Sequence, residues 1–485
     1  MTMSRRAFAV VAAGALLLGG ATAPAQAAPS GGAGLDGWRS ARLAVELQHA
    51  IAQQNFKNVL DTEPPGSAAA SRLAAMSDQG YEPTPTQQRL QARTLKAAAT
   101  TPQPIHQTPN VDATVIELAA DGHALSAANV LQSPQYPNGR IVPLDANLST
   151  DQVRWRFWDD TQWDANGGRG TDDVIAGENQ HAPIDFMSPY PASVLKLMVG
   201  FGVMQLVDKG EIKLDDPYSY VRAGTTGSAC GTNVTKPIRQ FFDEMITVSK
   251  NESTCALIKL LWDHNAVSGL NQQFVDLGLP YLRLVGTNPQ NGGTWGGSNM
   301  NSLDTAKLLM ILNGAAGRLW TAPNGSPVTK ALLTDSSRQF FLSELGQNAL
   351  SQVLSTTVWC GRAYPAPGIP AKLADRWVNP TNGTVTADGR VYGQDVRPCN
   401  AAAQVTYAHK TGFVDTSGQD AGIVQNLPGK ASRHFIVVVH TNLGTRYIDV
   451  NRPADPPGIY PVVYTEKFGL LGKAIDQLVT NHHNS

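Results

Sequence analysis

Residues 193–208 read SVLKLMVGFGVMQLVD, and this run constrains the fold more than any other stretch of the chain. It is too long for a single strand, and Lys209-Gly210 at its end are helix-stop signals. Nearly every side of the resulting helix is apolar, so it must be covered all round. That requires a large core, and the composition supplies one: 42% of the 485 residues are hydrophobic and only 16% are charged. Such a hydrophobic fraction excludes a disordered chain. The length predicts two or three units at about 150 residues each. Thirty-eight Lys and Arg against 39 Asp and Glu leave a net charge of -1. A nucleic-acid binder needs a basic surface to neutralise phosphates, so that class is excluded. No repeat with a period of about 33–45 residues is visible, which argues against a solenoid or propeller.

The first 27 residues are set aside as an export signal. Arg5 and Arg6 form a positive start, Ala7 to Leu18 is a short apolar run, and Ala25-Gln26-Ala27 offers small residues for cleavage before Ala28. Ser4-Arg5-Arg6-Ala7-Phe8 looks like a twin-arginine signal, with an ordinary secretory signal as the alternative. Either way the mature chain is expected outside the cytoplasm, secreted or associated with the cell wall. No other apolar run reaches about 18 residues, so no membrane span is expected. The four cysteines are Cys230, Cys255, Cys360 and Cys399, and none lies in a C-x-x-C pair. In an oxidising compartment they predict two disulfides. Three pairings are possible, and the two local ones, Cys230–Cys255 and Cys360–Cys399, are favoured over free buried thiols.

Residues 28–110 are rich in Ala, Gln, Thr and Pro and read as an N-terminal extension. It holds two helices, Ala41 to Phe56 and Gln87 to Ala99, and a linker over 100–111. From residue 111 onward the chain reads as one catalytic unit with two insertions, 131–185 and 355–403. Ala113 to Ala119 and His123 to Val130 are strand candidates around an Asp121-Gly122 turn. Within the first insertion Asp164, Asn166, Gly167 and Asp173 partly fit a calcium loop, but Gln162 at its first position is a poor ligand. A solvated loop is the better reading, and no metal site is assigned. Helices are expected over Pro237 to Val248, Glu252 to His264, Ser302 to Gly314 and Tyr464 to Thr480. Gln404 to His409, Ala421 to Gln425 and Phe435 to Thr441 read as strands. The last of these is continuously apolar, as expected of a strand covered on both faces.

A Ser and a Lys in the first turn of the apolar helix are conspicuous, because a Lys there has no surface role. Three short motifs occur in order: Ser193-Val194-Leu195-Lys196, Ser249-Lys250-Asn251 and Lys410-Thr411-Gly412. Each alone is weak, and together they are a strong signal for serine acyl-transfer chemistry. A serine hydroxyl is a poor nucleophile and needs a base within hydrogen-bond reach. Residues i and i+3 share a helix face, so Lys196 lies beside Ser193. Burial disfavours the ammonium and tunes Lys196 towards a neutral amine. Ser249 can relay a proton to a leaving group, and Lys410 can face a substrate carboxylate. The backbone N–H groups of Ser193 and Phe413, just after Gly412, can receive a developing oxyanion. His409 reads as a strand residue that orients locally, and His440 as structural.

With these motifs in place, residues from about 110 to 480 resemble the class A β-lactamase family and its serine D,D-peptidase relatives. Phe186 to Lys196, the segment Gly210-Glu211-Ile212-Lys213-Leu214-Asp215-Asp216, and Ala408 to Gly412 followed by Asp420 to Val424 also resemble the family. The resemblance implies an α+β fold, an αβα sandwich with a five-stranded antiparallel sheet flanked by helices plus a helical subdomain, and a site between them. It implies Ser193 as acylated nucleophile, Lys196 as base and Ser249 as proton relay. It gives Asn251 a contact to the substrate amide and places Lys410 and Thr411 at its carboxylate. No cofactor is implied, the expected partner is a small β-lactam or peptidoglycan-like molecule, and a monomer is expected.

Three departures qualify the resemblance. The family usually has a Glu that activates the deacylating water, and aligning on Arg283-Leu284 and Pro289 puts Asn288 in its place. An amide cannot serve as a general base. Deacylation should therefore be slow, with Glu252 and Asp304 as candidate substitutes. Lys250 replaces the common Asp of the second motif, and the stretch from Ser249 to Lys410 is unusually long. The motifs fit three functions: an acyl-serine hydrolase acting on β-lactams or related amides and esters, a D,D-peptidase or transpeptidase, and a penicillin-binding module acylated once.

Overall fold

The sheet that organises the molecule alternates its burial. In the computed structural model, β1 (Val111–Leu118) sends Val111, Ala113 and Val115 to one core and Ile116 and Leu118 to another. The structure describes residues 35–58, 107–159, 163, 167–224, 230–360, 368–387, 390–392, 395–414, 417–444, 446–449, 458–461 and 465–484. The export signal, the expected helix over Gln87 to Ala99, residues 100–106 of the linker, and Gln162, Asp164 and Asn166 lie outside these residues.

The other strands are β2 (Ala124–Ser133), β3 (Tyr136–Val142), β6 (Val405–Val414), β7 (Ser417–Asn426) and β8 (His434–Thr441), with a small parallel pair, β4 (Val153–Arg156) and β5 (Ile184–Met187), between β3 and β6 in the chain. The main sheet runs β6-β7-β8-β1-β2-β3 and is antiparallel throughout. It has six strands where five were expected. The sixth is β3, which was read as part of a loop insertion. Its sequence, YPNGRIV, carries Pro and Gly and an exposed polar pattern, as an edge strand does. The apolar run in β8 is explained by two-sided cover: Phe435, Val437 and Val439 face one core, Ile436 and Val438 the other.

One face is covered by α1 (Gly37–Gln54) and the last helix, α9 (Thr465–Asn484). Leu43, Leu47 and Ile51 of α1 and Phe468, Leu471 and Ile475 of α9 share that core with the sheet. Helix α1 therefore belongs to the sandwich, although its sequence read as part of an extension. Asp36 caps it, accepting from the N–H groups of Trp38 and Arg39. The opposite face packs on the helical lobe: α2 (Lys196–Asp208), α3 (Ile238–Thr247), α4 (Asn251–Asp263), α5 (Ala266–Asp276), α6 (Ser302–Asn313) and α7 (Asp335–Gly346). In α2 every residue from Lys196 to Met204 is buried, as its apolar surface demands.

The cysteines pair as Cys230–Cys255 and Cys360–Cys399, spanning 25 and 39 residues. The second bond ties the start of the 355–403 insertion to α8 (Arg397–Ala402). Together with Ala349 and Leu350 this insertion forms its own small core, against which Val248, next to Ser249, packs. In the 131–185 region Asp173, once a calcium-ligand candidate, is instead paired with Arg154 at 2.6 Å. Among the described residues no helix is long and apolar enough to cross a membrane.

Candidate active site

The apolar helix does not start where the sequence placed it. Ala192–Leu195 is one turn of 3-10 helix that runs into α2 at Lys196. Ala192, just before Ser193, has φ 45°, and Ser249 in the second motif has φ 60°. Both lie in the left-handed region that residues with a Cβ rarely adopt, and such strain concentrates at functional positions. It aims the Ser193 and Ser249 side chains at one buried amine.

That amine is Lys196 Nζ. It lies 2.9 Å from Ser193 Oγ, 2.9 Å from Ser249 Oγ, 2.6 Å from the Ser249 carbonyl oxygen and 3.0 Å from Asn251 Oδ1. Lys196 is fully buried. Burial pushes it well below the usual lysine range, and the charge of Lys410 pushes the same way. A neutral amine has two N–H donors and one lone pair. The Ser249 carbonyl and Asn251 Oδ1 can only accept, so they take the two N–H bonds. The lone pair is then left for a serine O–H.

Lys410 enters from β6. Its Nζ donates to Ser249 Oγ at 3.0 Å and to the Thr411 carbonyl at 2.8 Å. It too is buried, which pushes its pKa down to about 7, while Asp420 opposes that shift. The two lysines are thus linked through the hydroxyl of Ser249. Gly412 sets how closely β6 approaches the nucleophile. A Cβ there would sit 2.9 Å from Ser193 N and 3.0 Å from both Ala192 Cβ and the Pro191 carbonyl. Only a residue without a side chain lets the strand lie against the Ser193 N–H, with Phe413 next along it. The turn before Ser193 is pinned from β7, where Ser417 Oγ and Gln419 Nε2 donate to the Tyr190 carbonyl at 2.5 and 2.6 Å.

Ser193, Lys196, Ser249, Asn251 and Lys410 are therefore brought together, and Thr411, Gly412 and Phe413 line the same strand. Asn288 is not hydrogen-bonded to this cluster. Its Oδ1 accepts from the Gln290 N–H at 2.7 Å, within its own turn. Its loop rests on the first disulfide, since a Cβ on Gly292 would collide with the Cys255 carbonyl and one on Gly293 with Cys230 Sγ. The candidate substitute bases are engaged elsewhere. Glu252 pairs with Lys236 at 3.4 Å, and Asp304 accepts the Tyr281 N–H at 2.9 Å. Lys250 faces Glu244 at 3.8 Å, so its charge is balanced outside the cluster. Lys196 and Lys410 are thus two buried amines pushed below the usual lysine range, and Lys250 is a half-buried lysine paired with Glu244. Sequence reasoning missed Ser417 and Gln419, whose only signal is polar residues inside a strand buried on both faces.

Residues 187–359 match the model of the Beta-lactamase enzyme family. No curated protein matches the chain. Among solved structures the chain is similar to that titled "Structure of PBP-A", at 16% identity and a TM-score of 0.40, over 78% of this chain and 93% of that one. It is similar to a β-lactamase from Chitinophaga pinensis at 18% identity and a TM-score of 0.36, over 60% and 86%. The TLA-1 extended-spectrum β-lactamase gives 14% identity and a TM-score of 0.40, over 77% and 94%. Residues 187–359, which hold Ser193, Lys196, Ser249 and Asn251, are thus similar to the Beta-lactamase enzyme family.

Proposed function

We propose that this chain is an exported acyl-serine hydrolase whose Ser193 is acylated by a β-lactam or a related amide or ester. The observation that carries the reading is the buried Lys196 amine, pushed well below the usual lysine range by burial and by Lys410, 2.9 Å from Ser193 Oγ. Lys196 takes the Ser193 proton, and Oγ bonds to the carbonyl carbon. The negative oxygen that develops is received by the N–H groups of Ser193 and Phe413. Ser249, between the two lysines, passes a proton to the leaving nitrogen as its bond to carbon breaks. Lys410 and Thr411 face the substrate carboxylate, and Asn251 its amide.

The ester on Ser193 is then long-lived. Water needs a base to attack it, and Asn288 stands where relatives of this kind carry a Glu. General-base assistance is worth roughly 10²- to 10⁴-fold. The same economy favours a second reading, a D,D-peptidase or transpeptidase that passes the acyl group to an amine. A module acylated once, without turnover, is the third. Export by a twin-arginine signal over residues 1–27 belongs to the same proposal, and the two disulfides support an oxidising destination.

Residues 28–485 mixed with a chromogenic cephalosporin separate these readings. A burst of one equivalent with a stable mass adduct on Ser193 is the expected result. Many rapid turnovers would instead mark an efficient β-lactamase, and release of D-Ala from a stem peptide a peptidase. Ser193→Ala removes every one of these signals, and activity that survives it rules out the mechanism. Asn288→Glu should shorten the adduct lifetime, read by mass spectrometry over time. An unchanged lifetime counts against the place given to Asn288.

A further inference from the structure

Ser249 has φ 60°, and a serine stays in the left-handed region only where its surroundings over-determine it. Part of that restraint comes from the site itself. Lys196 Nζ donates to the Ser249 carbonyl at 2.6 Å, and the Lys250 N–H donates to the Glu244 carbonyl at 3.0 Å. The rest acts on the residues just before Ser249, and the acyl-transfer steps leave it unused. The Ala349 N–H donates to the Thr247 carbonyl at 2.9 Å. Val248 is half-buried and packs on the small core that holds Val358, Leu373, Val385 and Val396. Earlier on α3, Asp243 Oδ1 accepts from Arg376 Nη2 at 2.6 Å. That core and Arg376 belong to the 355–403 insertion, and Ala349 lies in the segment that leads into it. The insertion thus grips the end of α3 at Asp243, Thr247 and Val248.

The insertion is in turn fixed to the strands that carry the third motif. Asn348 Nδ2 donates to the His409 carbonyl on β6 at 2.9 Å, and its Oδ1 accepts the Leu350 N–H at 2.8 Å. The Leu354 N–H donates to Asp420 Oδ2 on β7 at 3.0 Å, and Asp420 Oδ1 lies 2.8 Å from His409 Nδ1. Further on, the Lys372 N–H donates to the Val405 carbonyl at 2.9 Å, where β6 begins. Trp377 Nε1 donates to the Gln347 carbonyl at 2.6 Å, which ties the insertion back to the end of α7. Ser249 and Lys410 meet at 3.0 Å in the site, and behind them one folded segment holds both of their backbones.

We propose that Val248 is a positioning residue for the Ser193 site, and that the insertion holding it sets where Ser249 Oγ stands between the two lysines. The inference rests on the acyl-serine reading for the role of Ser249. In that reading the proton that Lys196 takes from Ser193 passes through Ser249 Oγ to the leaving nitrogen as the carbon–nitrogen bond breaks. A misplacement of about 1 Å at a reacting group can cost about 10²-fold. An activated aryl ester leaves as a phenolate and needs no such proton, which stays on Lys196, so its attack on Ser193 is insensitive to where Ser249 stands.

The test is Val248→Ala in the full chain, followed by the rates of Ser193 acylation by a penicillin and by a p-nitrophenyl ester, each counted per folded site by adduct mass. The penicillin rate should fall by about 10- to 100-fold while the ester rate is kept. Ser249→Ala should show the same split, and Val248→Ile, which refills the core, should restore the penicillin rate. A purely structural role for Val248 lowers the melting temperature without moving the ratio of the two rates. If Val248→Ala does not fold, Arg376→Ala loosens the same grip from the surface and should move the ratio in the same direction. An unchanged ratio in the folded variant overturns the proposal. If the wild-type chain forms no adduct with either reagent, the readout is the Ser249 amide signal of serine-labelled protein, assigned by its loss in Ser249→Ala. Movement of that signal on Arg376→Ala sinks the acyl-serine reading and leaves the grip on Ser249 standing, and an unmoved signal sinks both.

Discussion

Of the buried polar clusters on this sheet, two are built on opposite rules. Behind β1, Glu117 is fully buried and surrounded by donors. Arg39 Nε reaches it at 3.1 Å, His482 Nδ1 at 2.6 Å, and Ser126 donates as well. His482 Nε2 continues to Glu46 at 2.8 Å, and Arg39 also donates to the His482 carbonyl at 2.9 Å. This cluster joins α1, β1, β2 and α9, and every charge in it meets its opposite. At the other cluster Lys196 and Lys410 are equally buried, yet each is held by neutral oxygens, and the charge of Lys410 adds to burial in pushing Lys196 down. A matched cluster fastens elements together, while an unmatched one stores a reactive protonation state at a cost in stability. Burial of charge therefore does not mark a functional site by itself; burial of like charges beside a strained serine does.

That contrast can be broken in three places. The largest effect is expected from Lys196→Ala, which should slow formation of the Ser193 adduct by about 10²- to 10⁴-fold while leaving the chain folded. Stopped-flow acylation reads this directly, and a variant that acylates normally would remove the base. Next, Glu117→Gln leaves Arg39 and His482 without their shared carboxylate. A loss of about 3–5 kcal/mol is expected in chemical denaturation, as for other broken buried ion pairs. The acylation rate of the folded fraction should not change. The smallest effect is a gain. Lys410→Met should raise stability at neutral pH by about 1–3 kcal/mol while crippling acylation.

The sign of that gain follows from linkage. Lys410 titrates at about 7 in the folded chain and near 10.5 when unfolded. Between these values the unfolded chain binds a proton that the folded chain does not, so stability rises with pH across the window. In Lys410→Met the rise should be shallower. An unchanged slope would mean that Lys410 is charged in the fold.

Much of this was legible in the sequence, for reasons that differ by element. The α2 run had one solution, because a helix apolar on all sides must be central, and a Lys in its first turn demanded a chemical reason. The three motifs were visible because each spacing is local. Ser193 and Lys196 lie within a single helical turn, and the third motif sits on one strand. What stayed hidden depended on pairing across the chain. Tyr136–Val142 looks like a loop until Asn129–Leu131 offers its edge. Helix α1 looked like an appendage because its partner, α9, comes some 400 residues later in the chain. Asn288 was placed by alignment, and its side chain turns out to serve its own turn. His409 could be read as a local orienter, but the partner it orients, Asp420, is reached only through the sheet register.

The floor beneath Gly292 and Gly293 has a practical consequence. The loop that carries Asn288 lies directly on the bond between Cys230 and Cys255. The redox history of the chain is therefore written into the part of the molecule on which release of product is proposed to depend. Protein made in a reducing host cytosol has the same sequence, nucleophile and lysines, but the loop has lost its support. Two preparations that acylate at equal rates should then differ in how long they stay acylated, and thiol titration before the assay is what makes such measurements comparable.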